Sequence, residues 1–196
     1  PSTGAHVLVF ADSTAPSGMG SNTAGIYADD VGGTTEMLAI NEGDVIARLT
    51  GIDIRKTADE TVTNTTLQAD DHLSANLAAS TEYYFRFTLF FTNAGAAEGI
   101  QFDLNGGTAT ATSLKAQVSI YDDTLNSLAA FARTEALATA VGAGLSSGDN
   151  FASIEGTIEV NGAGTFILRW AQNATGASAG VTVEENSSLI IRQLNA

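Results

Sequence analysis

Glu82-Tyr83-Tyr84-Phe85-Arg86-Phe87-Thr88-Leu89-Phe90-Phe91 is the stretch on which the reading of the fold turns. Successive side chains of a β-strand point to opposite faces. Tyr83, Phe85, Phe87, Leu89 and Phe91 therefore form one continuous apolar face, while Arg86 and Thr88 lie opposite it with Tyr84 and Phe90. A second stretch, Gly164-Thr165-Phe166-Ile167-Leu168-Arg169-Trp170-Ala171-Gln172-Asn173, alternates in the same way, with Phe166, Leu168 and Trp170 on one face and Thr165, Ile167 and Arg169 on the other. A strand with aromatics on both faces is buried twice, once in its own core and once against something else. That points to subunit contacts.

Outward from these two strands the alternation recurs at Ile100, Phe102 and Leu104; at Leu114, Ala116, Val118 and Ile120; at Ile154, Ile158 and Val160; at Val181 and Val183; and at Leu189 and Ile191. The pattern predicts seven or more antiparallel strands. Abundant Gly, Ala and Thr with only two Pro in 196 residues fit strands joined by polar loops, and the length suits one all-β domain with a modest appendage. Residues 122–145 read two ways: Leu125, Leu128, Phe131 and Ala132 suit a helix, and a strand around residues 128–134 suits an all-β domain, which is the reading preferred here. No repeat of fixed period suggests a solenoid or propeller.

Residues 1–50 read as an N-terminal arm and a small β-meander. The arm holds the apolar run Val7-Leu8-Val9-Phe10 and a Ser/Gly/Thr-rich loop; Gly25–Ala28, Thr34–Ile40 and Val45–Leu49 make the meander, with Asp29–Gly33 and Asn41–Asp44 as its turns. Three short strands bury too little surface to offset the entropy of ordering them, so this part must pack on something else. Residues 51–64, polar and mixed in charge, read as a connection, and 65–196 as the main domain.

The formal net charge of −14 opposes binding to nucleic acid and to anionic membranes, and fits a soluble surface or one that docks on a basic partner. With no cysteine there is neither disulfide nor thiolate chemistry. The start lacks a basic, apolar leader, no segment reaches the roughly 18 apolar residues needed to span a bilayer, and Pro1 is what methionine removal would leave. His6 and His72 are the only histidines, and His72 is expected as a solvated imidazole in a turn after Asp70-Asp71. No nucleophile, zinc or phosphate motif is present, so neither an enzyme nor a cofactor is expected. The pairs Asp29-Asp30, Asp70-Asp71 and Asp122-Asp123 fit turns, where carboxylates cap backbone amides, better than a calcium loop. Arg86, Arg169 and Arg192 lie within or at the end of apolar strands and call for a carboxylate, a carbonyl or a wet subunit seam. Trp170 reads as a core anchor whose indole N–H finds a partner.

Two patterns resemble known proteins. Gly25-Ile26-Tyr27-Ala28-Asp29-Asp30-Val31-Gly32-Gly33-Thr34-Thr35-Glu36-Met37-Leu38, continued by Asn41–Ile46 and Leu49-Thr50, resembles a short meander of tailed-bacteriophage structural proteins. Residues 67–194, through Tyr83–Arg86, Ile154–Gly156, the Arg169-Trp170-Ala171-Gln172-Asn173 segment and Ser187–Arg192, resemble the jelly-roll domain, similar in shape to tumour-necrosis-factor and C1q trimers, of phage minor structural proteins. The resemblance implies an antiparallel jelly-roll β-sandwich preceded by the arm and meander. It implies a virion protein, a homotrimer on the outer capsid surface that decorates or cements the major capsid protein. A tail fibre or adhesin recognising a host glycan or protein is the alternative, with Asn105–Thr108 and Gly142–Asn150 as its binding tips; a glycan-degrading enzyme is a weaker third. On the first reading Val7, Leu8, Val9, Phe10, Ile26, Tyr27, Met37 and Leu38 attach to the capsid. Tyr84, Arg86, Phe90, Arg169 and Trp170 anchor the trimer or the core.

Overall fold

The computed structural model describes residues 24–31, 34–41, 46–48, 51–95, 98–175 and 180–194. The chain forms two compact units, one within residues 1–50 and the other over Gly51–Leu194. In the first, β1 (Ala24–Val31), β2 (Thr34–Asn41) and β3 (Ile46–Arg48) form an antiparallel sheet in that order. The pairing of β1 with β2 runs from Ala24 opposite Asn41 to Val31 opposite Thr34. Asp29 and Asp30 lie within β1 rather than in the turn expected for them, because pairing continues to Val31. The run Val7–Phe10 lies outside the described residues.

The second unit is an all-β, antiparallel sandwich built from β4 (Ile52–Arg55), β5 (Glu60–Val62), β6 (Gln68–Leu77), β7 (Thr81–Asn93), β8 (Ile100–Asn105), β9 (Thr110–Asp122), β10 (Ser127–Thr134), β11 (Val141–Ala143), β12 (Gly148–Gly162), β13 (Gly164–Gln172), β14 (Val181–Val183) and β15 (Ser188–Leu194). One sheet runs β10-β9-β12-β7, and the far edge of β7 pairs with β15 along one part and β14 along another; β4 then joins β15 and β5 joins β14. The other sheet runs β11-β8-β13-β6. Setting aside β5, β14 and the β9–β10 hairpin leaves eight strands. Numbered along the chain, they lie one-eight-three-six in the larger sheet and two-seven-four-five in the smaller.

Residues 51–64 are therefore not a connection. They carry β4 and β5, which extend the larger sheet, and Lys56 between them is fully buried. Short polar strands escape a reading based on hydrophobic alternation because strands at a sheet edge bury little of their own surface. In residues 122–145 the strand reading holds, with β10 antiparallel to β9 and β11 added to β8.

The core follows the predicted alternation. Tyr83, Phe85, Phe87, Leu89 and Phe91 are wholly buried, as are Phe166, Leu168 and Trp170 on the facing sheet. Aromatic rings bridge the layers: Phe85 and Phe166 lie 5.1 Å apart between centroids, Phe87 and Phe166 6.0 Å, and Phe91 and Phe102 6.0 Å. These tilted and edge-on pairs add to the burial of the rings themselves.

Candidate functional site

The sequence places aromatics on both faces of β7, and the outer face of the larger sheet is where the second set collects. Cross-strand register sorts that face into rows. Leu128, Tyr121, Phe151 and Phe90 align across β10, β9, β12 and β7; Phe131, Ser119, Ser153 and Thr88 form the next row; then Arg133, Gln117, Glu155 and Arg86, with Ile190 of β15; then Lys115, Thr157, Tyr84 and Arg192. The first row is a ring ladder, with centroids 5.7 Å apart for Phe90–Phe151 and 5.8 Å for Tyr121–Phe151. Aromatic pairs opposite one another are the strongest local stabilisers of a sheet. Here they also leave apolar area outside the core: Phe90 and Tyr121 are each 41% exposed, Leu128 49% and Phe131 63%.

Two shallow grooves cross this face. One, of about 450 Å³, lies between Tyr84, Lys115, Phe131, Arg133 and Glu155; the other, of about 510 Å³, is floored by Arg86, Tyr121, Phe151 and Ser153. Glu155 borders both. Tyr84 Oη donates to Glu155 Oε2 at 3.3 Å, and partial burial together with that carboxylate pushes the phenol above its ordinary range. Among the described residues Arg86 and Arg192 have no ion pair; both are exposed, Arg86 on β7 and Arg192 at the end of its row on β15. Arg86, Lys115, Arg133 and Arg192 are four of the eight cationic side chains in a chain with 22 acidic ones. The face carries these cations beside the carboxylates of Asp53, Glu82, Glu155 and Glu159, so both signs of charge are present on it.

Of the other predicted anchors, Trp170 is a core residue, and its indole donates to Asp70 Oδ2 at 3.1 Å, as its burial demanded. Arg169 is half-buried and forms a two-pronged pair with the buried Asp103, donating from Nε at 2.8 Å and also from Nη2. That carboxylate holds the guanidinium above its ordinary pKa against the opposing effect of burial. Neither residue lies on the outer face. In the N-terminal unit Tyr27 and Leu38 pair across β1 and β2 and are buried, Met37 is half-buried and Ile26 is 55% exposed. Asn105–Thr108 is a turn closed by Gly107 N–H donating to Asn105 Oδ1 at 2.6 Å. Gly142–Asn150 is not one open tip, since its ends belong to β11 and β12.

A buried polar cluster lies elsewhere in the sandwich, around Lys56 and Asp70. Lys56 Nζ lies 2.8 Å from Glu60 Oε2 and 2.9 Å from Asp70 Oδ2, with Lys56 and Asp70 wholly buried. Four residues of β6, 70–73, stand opposite the single Leu168 of β13, a wide bulge that turns the Asp70 carboxyl inward. Its Oδ1 accepts from the backbone N–H of His72 at 2.9 Å and of Leu73 at 2.8 Å. Asp70 thus caps amides as expected of a turn, but within a strand. His72, expected in solvent, is half-buried in β6 with its Nδ1 unpartnered, because the bulge draws the segment against the sandwich. Asp122 does cap the β9–β10 turn, accepting from Leu125 N–H at 3.0 Å and Ser146 N–H at 2.6 Å, and these bonds hold its carboxyl below the usual range. The one signal in the sequence for the buried cluster was Trp170, whose indole required a partner.

No protein-family model matches the chain, and no curated protein matches it.

Proposed function

We propose that this is a structural protein of a tailed-bacteriophage virion. It assembles as a homotrimer through the outer face of its larger sheet and decorates the capsid by contact of its N-terminal unit with the major capsid protein. The observation that carries the reading is the exposed aromatic ladder Tyr121–Phe151–Phe90, flanked by Phe131 and by four cations on a chain of net charge −14. A sheet face that keeps such rings partly in water, with grooves beside them, suits a protein partner better than solvent. A second copy of this chain fits because the face presents exposed rings with both cations and carboxylates, which a copy of itself can complement.

The strand order one-eight-three-six facing two-seven-four-five, read with four strands set aside, is compatible with a jelly roll and supports that part of the resemblance. The fold alone does not choose a function. The division into a small three-stranded unit and a larger sandwich supports separate roles, attachment for the first and display for the second.

Electron cryomicroscopy of the intact particle tests the assignment. Density for this chain at three-fold or quasi-three-fold positions of the capsid is expected. Density at the tail tip would replace decoration by the adhesin reading.

A further inference from the structure

We infer that Lys56 and Asp70 are the partners of an internal amide bond: the buried Lys56 amine, set between the carboxyl groups of Asp70 and Glu60, condenses with Asp70 and staples the end of β4 to β6. The inference stands apart from whatever the outer face binds.

Three features of the cluster suit that chemistry. Lys56 Nζ is within hydrogen-bond reach of the carboxyl it must attack, at 2.9 Å from Oδ2. Its backbone is clamped, with its N–H donating to Ser187 O at 2.7 Å and its carbonyl accepting from Asn186 N–H at 2.9 Å, so the amine is delivered from a fixed point. Asp70 Oδ1 already sits against the two amides of His72 and Leu73, which is the arrangement that stabilises negative charge on a tetrahedral intermediate. Glu60 Oε2, at 2.8 Å from Nζ on the less buried side, is placed to carry protons.

The step balances without any further reagent. The resting state is the ion pair: burial alone lowers the Lys56 pKa, but Glu60 and Asp70 raise it above the ordinary lysine value. Nζ passes one proton to Oδ2 along their 2.9 Å hydrogen bond, which leaves a neutral amine facing a neutral carboxyl, and the amine attacks the Asp70 carboxyl carbon. Charge gathers on Oδ1 between the two amides. Glu60 takes a second proton from the now cationic nitrogen and delivers it to Oδ2, which leaves as water, and Nζ keeps the third as the amide N–H. Glu60 ends as it began. The reaction replaces two fully buried charges, costly to hold even when paired, by one neutral amide in a site closed to bulk water.

The bond would join the two layers, since β4 belongs to the larger sheet and β6 to the smaller. In a chain without cysteine it would take the place of a disulfide at the point where the sandwich begins.

Mass spectrometry of the full-length, denatured protein decides the matter. The expected mass is that of the sequence less one water, and cleavage after Glu60 leaves the fragments bearing Lys56 and Asp70 joined through their side chains. Lys56→Arg and Asp70→Ala restore the full sequence mass. Glu60→Gln, which preserves size, is expected to fold and to accumulate the uncondensed form. Folded wild-type protein that keeps its full mass after prolonged incubation, with the two fragments separating freely, would overturn the proposal and leave an ordinary buried ion pair. A water loss that maps to any other residue pair would overturn it equally.

Discussion

The two faces of β7 both carry aromatic rings, and those rings have opposite fates. Tyr83, Phe85, Phe87, Leu89 and Phe91 are wholly buried against the smaller sheet, whereas Tyr84 and Thr88 are half-covered and Arg86 and Phe90 exposed. Inside, Phe85, Phe87 and Phe91 are held by rings of the facing layer, and apolar burial stabilises the sandwich. Outside, Phe90, Phe151 and Tyr121 touch one another across strands, and among the described residues of the sandwich no ring of another layer meets them. Aromatics on the first face specify the fold, and aromatics on the second are available for a partner.

Substitutions on the two faces should therefore separate folding from assembly. The largest effect is expected from Phe87→Ala, which opens a cavity beneath Phe166 and should cost about 3–5 kcal/mol in denaturant unfolding. Lys56→Met leaves a buried Asp70 carboxylate that neither a cation nor an amide bond neutralises, and a loss of at least about 3 kcal/mol is expected in the same assay. Arg169→Ala strips the bidentate partner from the buried Asp103 and should cost about 1–3 kcal/mol, less than the core change because the arginine reaches solvent.

Smaller effects sharpen the contrast. A carboxylate whose folded pKa is depressed gives its full stabilisation above the unfolded value, about 3.9, and loses it as pH falls through the lower folded value. Asp122 is such a group. Acid titration of unfolding should show wild type losing stability below that range, and Asp122→Asn showing a smaller loss over the same interval. Phe131→Ser, on the outer face, should change unfolding by less than about 0.5 kcal/mol while weakening self-association measured by light scattering. A large loss of stability at Phe131 would erase the distinction between the faces.

Much of the sandwich was legible in the sequence because a buried strand with one core face must alternate, as Tyr83–Phe91 and Phe166–Trp170 do. The outward positions of Tyr84, Arg86 and Phe90 were legible for the same reason: aromatic and cationic side chains on the wrong side of an apolar strand stand out. What alternation did not show were β4 and β5, whose edge positions let polar residues dominate, and the Lys56–Glu60–Asp70 cluster. Asp70 looked like a turn residue because it does cap backbone amides. Only the bulge opposite Leu168, a product of pairing between distant strands, turns it inward to meet Lys56 and Trp170.

The most direct test of the central claim is the oligomeric state of the wild-type protein and of the combined Phe90→Ser, Phe131→Ser and Phe151→Ser variant, measured by multi-angle light scattering beside thermal unfolding. The account predicts a wild-type trimer and a folded, monomeric variant. A wild-type monomer over the whole concentration range, or a variant that remains trimeric, would contradict it.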